Sequence, residues 1–281
     1  MIKIGIMSGA YVDRYGWAAG LEKMREHGYE AMDDQSFCNT ETALFAATER
    51  EFEQTLRERR RLCEAAGIEV SQTHGPWRYP IRDFTAADRA ERFEKMAKSI
   101  RGTAMLDCPY MVIHNVMPYG PRDLSPAVVR ELNAEFMGCL AEEGKKYGVV
   151  VCMENMPFVH QCLATCADLK AFVEQMDSPW LRMCLDTGHA AVWQQSPADC
   201  VRLLGRDMLR TLHVHDNDGK RDKHGMPGTG VIDWPAFTAA LREIGFDGVL
   251  SLETAVPHDE TEERDGKERT LAGLALTLAG R

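Results

Sequence analysis

Six apolar runs in this chain end on an acid or a histidine: His74, His114, Glu154, Asp186, His215 and Glu253. Asp33 and Asp34 close an earlier run in the same way. A charge buried at the end of such a run is costly unless it is paired or bound to a metal. One acid or histidine at a strand end reads most simply as a helix cap or a satisfied polar group. The whole set, without matching lysines or arginines, is a self-repelling cluster that a divalent cation would relieve. Mixed carboxylate and imidazole donors suit Mn²⁺, Co²⁺, Zn²⁺ or Fe²⁺ better than Ca²⁺. Trp77, in a Gly-Pro-Trp turn just after His74, offers a flat surface for a ring to stack on, or else covers the top of the scaffold as packing. His213 alternates with His215, so both should face the same side, His213 as a deeper hydrogen-bonding partner. By the same alternation Asn155 and Asp216 should face away.

Residues so far apart in sequence need a scaffold that gathers strand ends. Short apolar runs alternate with amphipathic stretches along all 281 residues. The pattern predicts strands over Lys3–Ser8, Tyr29–Asp33, Ile68–His74, Tyr110–His114, Val149–Glu154, Leu181–Asp186, Leu209–His215 and Val249–Glu253. It predicts helices over Gly16–His27, Thr42–Ala66, Ala86–Leu106, Pro126–Tyr147, Cys166–Met176, Pro197–Gly205, Trp234–Ile244 and Lys267–Ala279. Ser125-Pro126 and Ser196-Pro197 place a cap before a first-turn proline. Gly67, Gly148 and Gly245 stand where a left-handed cap would end a helix. Strict alternation implies a parallel sheet with helical crossovers. Eight such units in one chain of this length match a single (β/α)8 barrel of the α/β class, spanning residues 1–281 as one domain. In that fold the carboxyl ends of the strands surround one pocket. The polar stretch Pro257–Glu268 reads as a solvated loop.

The formal net charge of −10 argues against a nucleic-acid partner, because phosphate-neutralising proteins show a basic face. Nine cysteines without a Cys-x-x-Cys pair fit reduced thiols better than a disulfide framework. The N-terminal run reads as a first strand rather than a leader, and no apolar run reaches membrane-spanning length. The expectation is a cytoplasmic enzyme with no membrane partner, able to form homo-oligomers.

Several segments resemble the xylose isomerase-like barrel superfamily. They are Val149-Val-Val-Cys-Met-Glu-Asn-Met-Pro157, Cys184-Leu-Asp-Thr-Gly-His189, His213-Val-His-Asp-Asn-Asp-Gly219, Asp222-Lys-His224, Pro227-Gly-Thr-Gly230-Val-Ile-Asp-Trp234 and Leu250-Ser-Leu-Glu-Thr254. That superfamily groups sugar isomerases and epimerases, inosose dehydratase-like enzymes and endonuclease IV-type DNA repair enzymes. The resemblance implies a divalent metal, manganese first with cobalt, zinc, iron or magnesium as alternatives, held by Glu154, Asp186, His215 and Glu253. It implies substrate contacts from His189 and from Arg221, six residues after His215. Where ketose 3-epimerases carry a second acid, six residues after the strand-five glutamate, this chain has His160, a departure that points away from a free ketohexose. Endonuclease IV-type proteins bind three metals, and counterparts of every ligand are present: His74, His114 and Glu154; then Glu154, Asp186, His215 and Glu253; then His189, Asp222 and His224. In single-metal relatives side chains of the first and third sets serve as substrate contacts.

The expected reaction is isomerisation or epimerisation of a small sugar or cyclitol. Glu154 and Glu253 are the candidate acid and base, moving a proton next to a carbonyl through an enediolate. A lyase or dehydratase acting on inosose-like or 3-keto-sugar substrates shares the first step. It would use a histidine from the set His74, His114, His160 and His189 to protonate the departing oxygen. A phosphodiesterase of the endonuclease IV type is the remote alternative.

Overall fold

The computed structural model describes residues 2–77, 81–254 and 262–281. Eight parallel strands form one sheet in the order β7-β6-β5-β4-β3-β2-β1-β8. A parallel bridge between Val214 and Leu252 joins its two ends. The result is a (β/α)8 barrel, as the alternation of patterns required.

In chain order the elements are β1 (Lys3–Met7), α1 (Gly9–Tyr15), α2 (Trp17–His27), β2 (Ala31–Asp34), α3 (Ala43–Ala46), α4 (Glu49–Ala66), β3 (Glu69–His74), α5 (Ala86–Met105), β4 (Tyr110–Ile113) and α6 (Pro126–Tyr147). There follow β5 (Val150–Glu154), α7 (Cys166–Met176), β6 (Leu181–Asp186), α8 (Thr187–Val192), α9 (Pro197–Met208), β7 (Leu209–His213), α10 (Trp234–Glu243), β8 (Val249–Leu252) and α11 (Glu262–Leu278). A 3₁₀ turn, Gln35–Phe37, follows β2.

The boundaries differ from the sequence expectation where short-range polar chemistry intervenes. The helix expected over Thr42–Ala66 is two helices, because Thr48 and Glu51 form a reciprocal capping box that restarts the chain at Glu49. Two short helices, α1 and α8, follow strands directly and lack the length that makes a period visible. Gly16, at φ 75°, separates α1 from α2. Residues 257–261 of the expected loop lie outside the described residues, but the chain is helical from Glu262 onward and Glu268 is buried within 4.0 Å of Arg14.

Alternation along the strands sorts the barrel into layers. Outward side chains such as Met111, Ile113, Val151, Met153, Met183, Leu185 and Leu212 join the main apolar core beneath the helices. Inward, Val112, Cys152 and Cys184 form a separate apolar layer. Two residues further along the same strands stand His114, Glu154 and Asp186, all buried. The site is therefore the layer above an apolar plug. All nine cysteines are free thiols. No described helix is long and apolar enough to cross a membrane.

Candidate active site

Glu154, the last residue of β5, is the hub. It is 1% exposed and its two oxygens face different neighbours. Oε2 accepts from His114 Nε2 at 2.9 Å, with His74 Nε2 at 3.6 Å, while Oε1 accepts from His213 Nδ1 at 2.9 Å. His213 Nε2 donates in turn to Asp33 Oδ2 at 3.0 Å, and Glu253 Oε2 lies 3.1 Å from His213 Nδ1. Asp33 thus belongs to the interior and Asp34 does not: adjacent strand residues face opposite ways, and Asp34 instead caps the 3₁₀ turn by accepting from Ser36 N at 2.9 Å. Below, Gln72 Nε2 donates to Asp33 Oδ2 at 3.2 Å and ties the site floor to the Leu212 carbonyl of β7.

Asp186, at the end of β6, serves two neighbours. Oδ1 caps α8 by accepting from His189 N at 2.6 Å, and Oδ2 accepts from His215 Nε2 at 3.0 Å. The Asp-Thr-Gly-His segment is thereby explained. Asp186 caps a helix of six residues, Thr187 Oγ1 donates to the His215 carbonyl at 2.7 Å, and an added Cβ at Gly188 would sit 1.9 Å from the His215 ring. His189 then turns inward, its Nδ1 donating to the Asn155 carbonyl at 2.7 Å and its Nε2 to Asp222 Oδ2 at 3.2 Å. Asn155 faces away from the pocket, as alternation requires, and clamps β5 to β6 through Asp186 N at 2.8 Å. His224 donates from Nδ1 to the Glu253 carbonyl at 2.8 Å and from Nε2 to Asp222 at 3.1 Å, in a left-handed backbone conformation with φ 48°. That loop hangs on Asp216, which is fully buried and accepts from Gly228 N, Gly230 N and Trp234 Nε1.

The electrostatics follow from this geometry. The carboxylates find their ion-pair partners in histidines. Burial opposes charging of His189, but Asp186, Asp222 and Glu154 overcome it and carry the ring up to about 10. His224 rises to about 9 against the same opposition, through Asp222 and Glu253. His114 goes the other way: burial dominates its bond to Glu154 and pushes it down to about 4. Burial raises Glu253, with repulsion from Glu154 adding to it. Glu154 resists its own burial through His213, His114 and His74 and is held well below the usual carboxylate range.

Among the described residues three sets of side chains offer ligand atoms within 4.8 Å of one another: His189, His215, Asp222 and His224; His74, Glu154 and His213; and Glu154, Asp186, His213 and Glu253. These donors fit a divalent cation. His189, His213 and His224 each donate from both ring nitrogens, so protons stand where a cation would balance the acids. His114 Nδ1 and His215 Nδ1 are buried without a hydrogen-bond partner among the described residues.

Of the residues singled out by sequence, His74, His114, Glu154, Asp186, His189, His215, Asp222, His224 and Glu253 converge here. His213, not His215, stands in the set with Glu154, Asp186 and Glu253, while His215, past the end of β7, joins His189, Asp222 and His224. Trp77 is half-buried with its ring edge-on to His114, centroids 4.4 Å apart. His160 and Arg221 are not brought in: both are exposed, and Arg221 lies 3.6 Å from Asp218. Sequence reasoning passed over Gln72, Gln35 and Cys38. Gln35 Nε2 approaches Glu253 Oε1 at 3.5 Å, and Cys38 Sγ lies 3.3 Å from His74 Nδ1. Gln72 was within reach, two residues before His74 on an inward face; the other two sit in a turn with no periodic signal.

The family model described as xylose isomerase-like TIM barrel matches residues 21–275, and the chain belongs to that family. An uncharacterised protein of Methanocaldococcus jannaschii is 31% identical over 196 residues, 66% of this chain and 66% of its own length. D-psicose 3-epimerase of Agrobacterium fabrum is 27% identical over 220 residues, 75% of this chain and 71% of that enzyme. Another similar protein, from Sinorhizobium fredii and uncharacterised, is matched over only 32% of its length. Among solved structures, 3-keto-D-glucoside 4-epimerase from E. coli shares the fold with a TM-score of 0.79 at 17% identity, covering 99% of this chain and 100% of that one. A D-tagatose 3-epimerase-like protein gives a TM-score of 0.75 at 24% identity, with coverage of 99% and 98%.

Proposed function

We propose that this chain is a metal-dependent sugar epimerase or isomerase that moves a proton on a carbon next to a carbonyl. The observation that carries this reading is the pair Glu154 and Glu253. They come from β5 and from just beyond β8, share one buried cluster, and are pushed in opposite directions by their surroundings. Two carboxylates with separated proton affinities can divide the work of base and acid. Glu154, surrounded by imidazoles, stays ionised and is suited to take the α-proton. Glu253, whose proton affinity is raised by burial and by Glu154, is suited to deliver one from another direction. His74 and His114 orient Glu154. His213 links the two carboxylates to Asp33, and His189 and His224 present N–H groups to the oxygens of a polyhydroxylated substrate. Trp77 closes the side of the pocket next to His114. The D-psicose 3-epimerase and the 3-keto-D-glucoside 4-epimerase to which the chain is similar are sugar epimerases, which supports the same class of reaction here.

Glu154, Asp186 and Glu253, with His213 or His215, would hold a divalent cation. When bound, the cation polarises the substrate carbonyl and makes its α-proton more acidic. The carboxylate and imidazole donors suit Mn²⁺, Co²⁺, Zn²⁺ or Fe²⁺.

The test is turnover of a panel of keto-sugars and inososes after chelation and metal add-back, with products read by mass and NMR. Conserved mass with one inverted or shifted centre supports the reading. A product lighter by water or an alcohol replaces it with the lyase. No turnover with any metal removes it.

A further inference from the structure

Just below the catalytic layer the pairing of β2 with β3 shifts register. Met32 pairs with Val70, but the next residue, Asp33, pairs with Gln72, and Ser71 is left as the extra residue. Shifts of this kind re-aim side chains and are common next to active sites. Here the shift sets two inward polar residues side by side, both buried. They reach across the barrel, because β3 stands four strands from β7 in either direction round the closed sheet.

What they meet on the far wall is His213 and the backbone just before it. His213 Nε2 donates to Asp33 Oδ2 at 3.0 Å. Gln72 Nε2 donates to the same oxygen at 3.2 Å and to the Leu212 carbonyl at 3.3 Å. A carbonyl can only accept, so the nitrogen end of the Gln72 amide is the end that faces Asp33. Two N–H groups thus converge on Oδ2, while Asp33 Oδ1 is buried without a partner among the described residues. An idle buried acceptor costs stability, so packing alone does not account for an acid here. Orienting His213 does. With Nε2 engaged, the other edge of the ring places Nδ1 2.9 Å from Glu154 Oε1 and 3.1 Å from Glu253 Oε2. The His74 ring lies parallel to it, centroids 5.6 Å apart. Any swing of His213 would carry Nδ1 away from one or both carboxylates.

We propose that Asp33 and Gln72 are positioning residues, a brace across the barrel that holds His213 between Glu154 and Glu253 and so sets the spacing of the two carboxylates. The inference rests on the epimerase reading for the roles of those carboxylates. Neither residue needs to touch substrate: Gln72 acts through Asp33, and Asp33 acts through His213.

The experiment compares wild type with Asp33→Leu, which removes the acceptor, Asp33→Asn, which keeps an acceptor oxygen, Gln72→Leu, and the double variant Asp33→Leu/Gln72→Leu. Thr103→Val is the control, since it cuts a buried 2.7 Å bond to Thr73 on the outer side of β3. The readouts are imidazole ¹⁵N–¹H NMR of the metal-free protein, calorimetric Mn²⁺ affinity, and kcat and KM on the sugar turned over best. In wild type the His213 Nε2 proton should exchange slowly with solvent. Asp33→Leu should lose that slow proton, bind Mn²⁺ about 10–100-fold more weakly and lower kcat by a similar factor with KM unchanged. Asp33→Asn should restore most of all three. Gln72→Leu should act in the same direction more weakly, and should add nothing on top of Asp33→Leu. Thr103→Val should lower stability without moving any of them. An Asp33→Leu protein that melts lower yet keeps the proton signal, the affinity and kcat overturns the brace, as does full additivity in the double variant. If Asp33→Leu does not fold, Gln72→Leu decides, and wild-type values in all three readouts overturn the proposal. If wild type turns over no sugar, the epimerase reading fails, and the brace stands or falls on the first two readouts: loss of the slow proton with weaker Mn²⁺ binding supports it, and no change in either overturns it.

Discussion

Gly188→Ala tests whether the Asp-Thr-Gly-His turn exists to seat His215. The new Cβ would lie 1.9 Å from His215 Cε1, 2.4 Å from Nδ1 and 2.7 Å from Nε2. Ordinary carbon contacts need about 3.5–4.0 Å, so the ring must retreat by about 1.5 Å or more. It has nowhere easy to go, because His215 is fully buried and stacked on His224 at 4.1 Å between centroids. Retreat breaks the 3.0 Å bond to Asp186. A buried hydrogen bond to a charged group is worth about 1.5–3 kcal/mol, and an overpacked core site costs about 1–3 kcal/mol. The sum is about 3–6 kcal/mol, or a fall in Tm of about 6–12 °C at about 2 °C per kcal/mol for a chain this large. If the proposed cation is held here, displacing this imidazole should also weaken divalent-metal binding by about 10–100-fold. Scanning calorimetry and metal titration read the two effects, with Gly273→Ala as the control, since nothing lies within 4 Å of a Cβ there. Wild-type melting together with wild-type metal affinity in Gly188→Ala would refute the reasoning.

Metal-free protein should be most stable near pH 6.5. His189 and His224 have folded values raised to about 10 and about 9, so their contribution is complete below pH 6.5 and disappears as pH rises through 9 to 10. His114, depressed to about 4, contributes above pH 6.5 and loses that contribution as pH falls toward 4. Melting curves across pH 4–10 check both limbs, and a flat alkaline limb would contradict the charged state of His189 and His224. Divalent metal should expel protons from imidazoles that are charged in its absence. Calorimetric titration at pH 7 in buffers of different ionisation enthalpy should therefore show net proton release, and zero release would mean that these rings are not displaced. Asp216→Ala removes the buried carboxylate that accepts from Gly228 N, Gly230 N and Trp234 Nε1 and leaves the buried indole N–H without its acceptor, which should cost about 2–3 kcal/mol in urea unfolding. It should also loosen the loop that carries Asp222 and His224; wild-type stability would show that Asp216 is not the anchor.

The barrel was legible because strand alternation and helix punctuation are local. Gly67 and Gly148 do end helices in left-handed conformations, at φ 67° and 73°. The convergence of strand-end acids and histidines was legible for the same reason, since a parallel barrel brings every such residue to one face. What stayed hidden depends on which side of a strand end the chain turns. Asp33 and Asp34 were equivalent in sequence, and their separation into interior partner of His213 and cap of a turn comes from pleating. His213 and His215 were correctly set on one face, but their division between two groups of acids depends on where β7 stops. Gln35 and Cys38 sit in a 3₁₀ turn without periodicity, and His160 and Arg221 were singled out by resemblance, which does not fix a loop's path.

The central claim is best met by running the epimerisation in D₂O with Mn²⁺ and comparing wild type with Glu253→Gln. Wild type should place one deuterium at the inverted carbon of the product. In Glu253→Gln, Glu154 still removes the proton but no acid returns one on the other side. Product formation should fall by about 10²–10⁴, the usual contribution of a positioned acid, while deuterium still washes into recovered substrate. Inverted product free of solvent deuterium, or a Glu253→Gln variant as fast as wild type, would contradict the account.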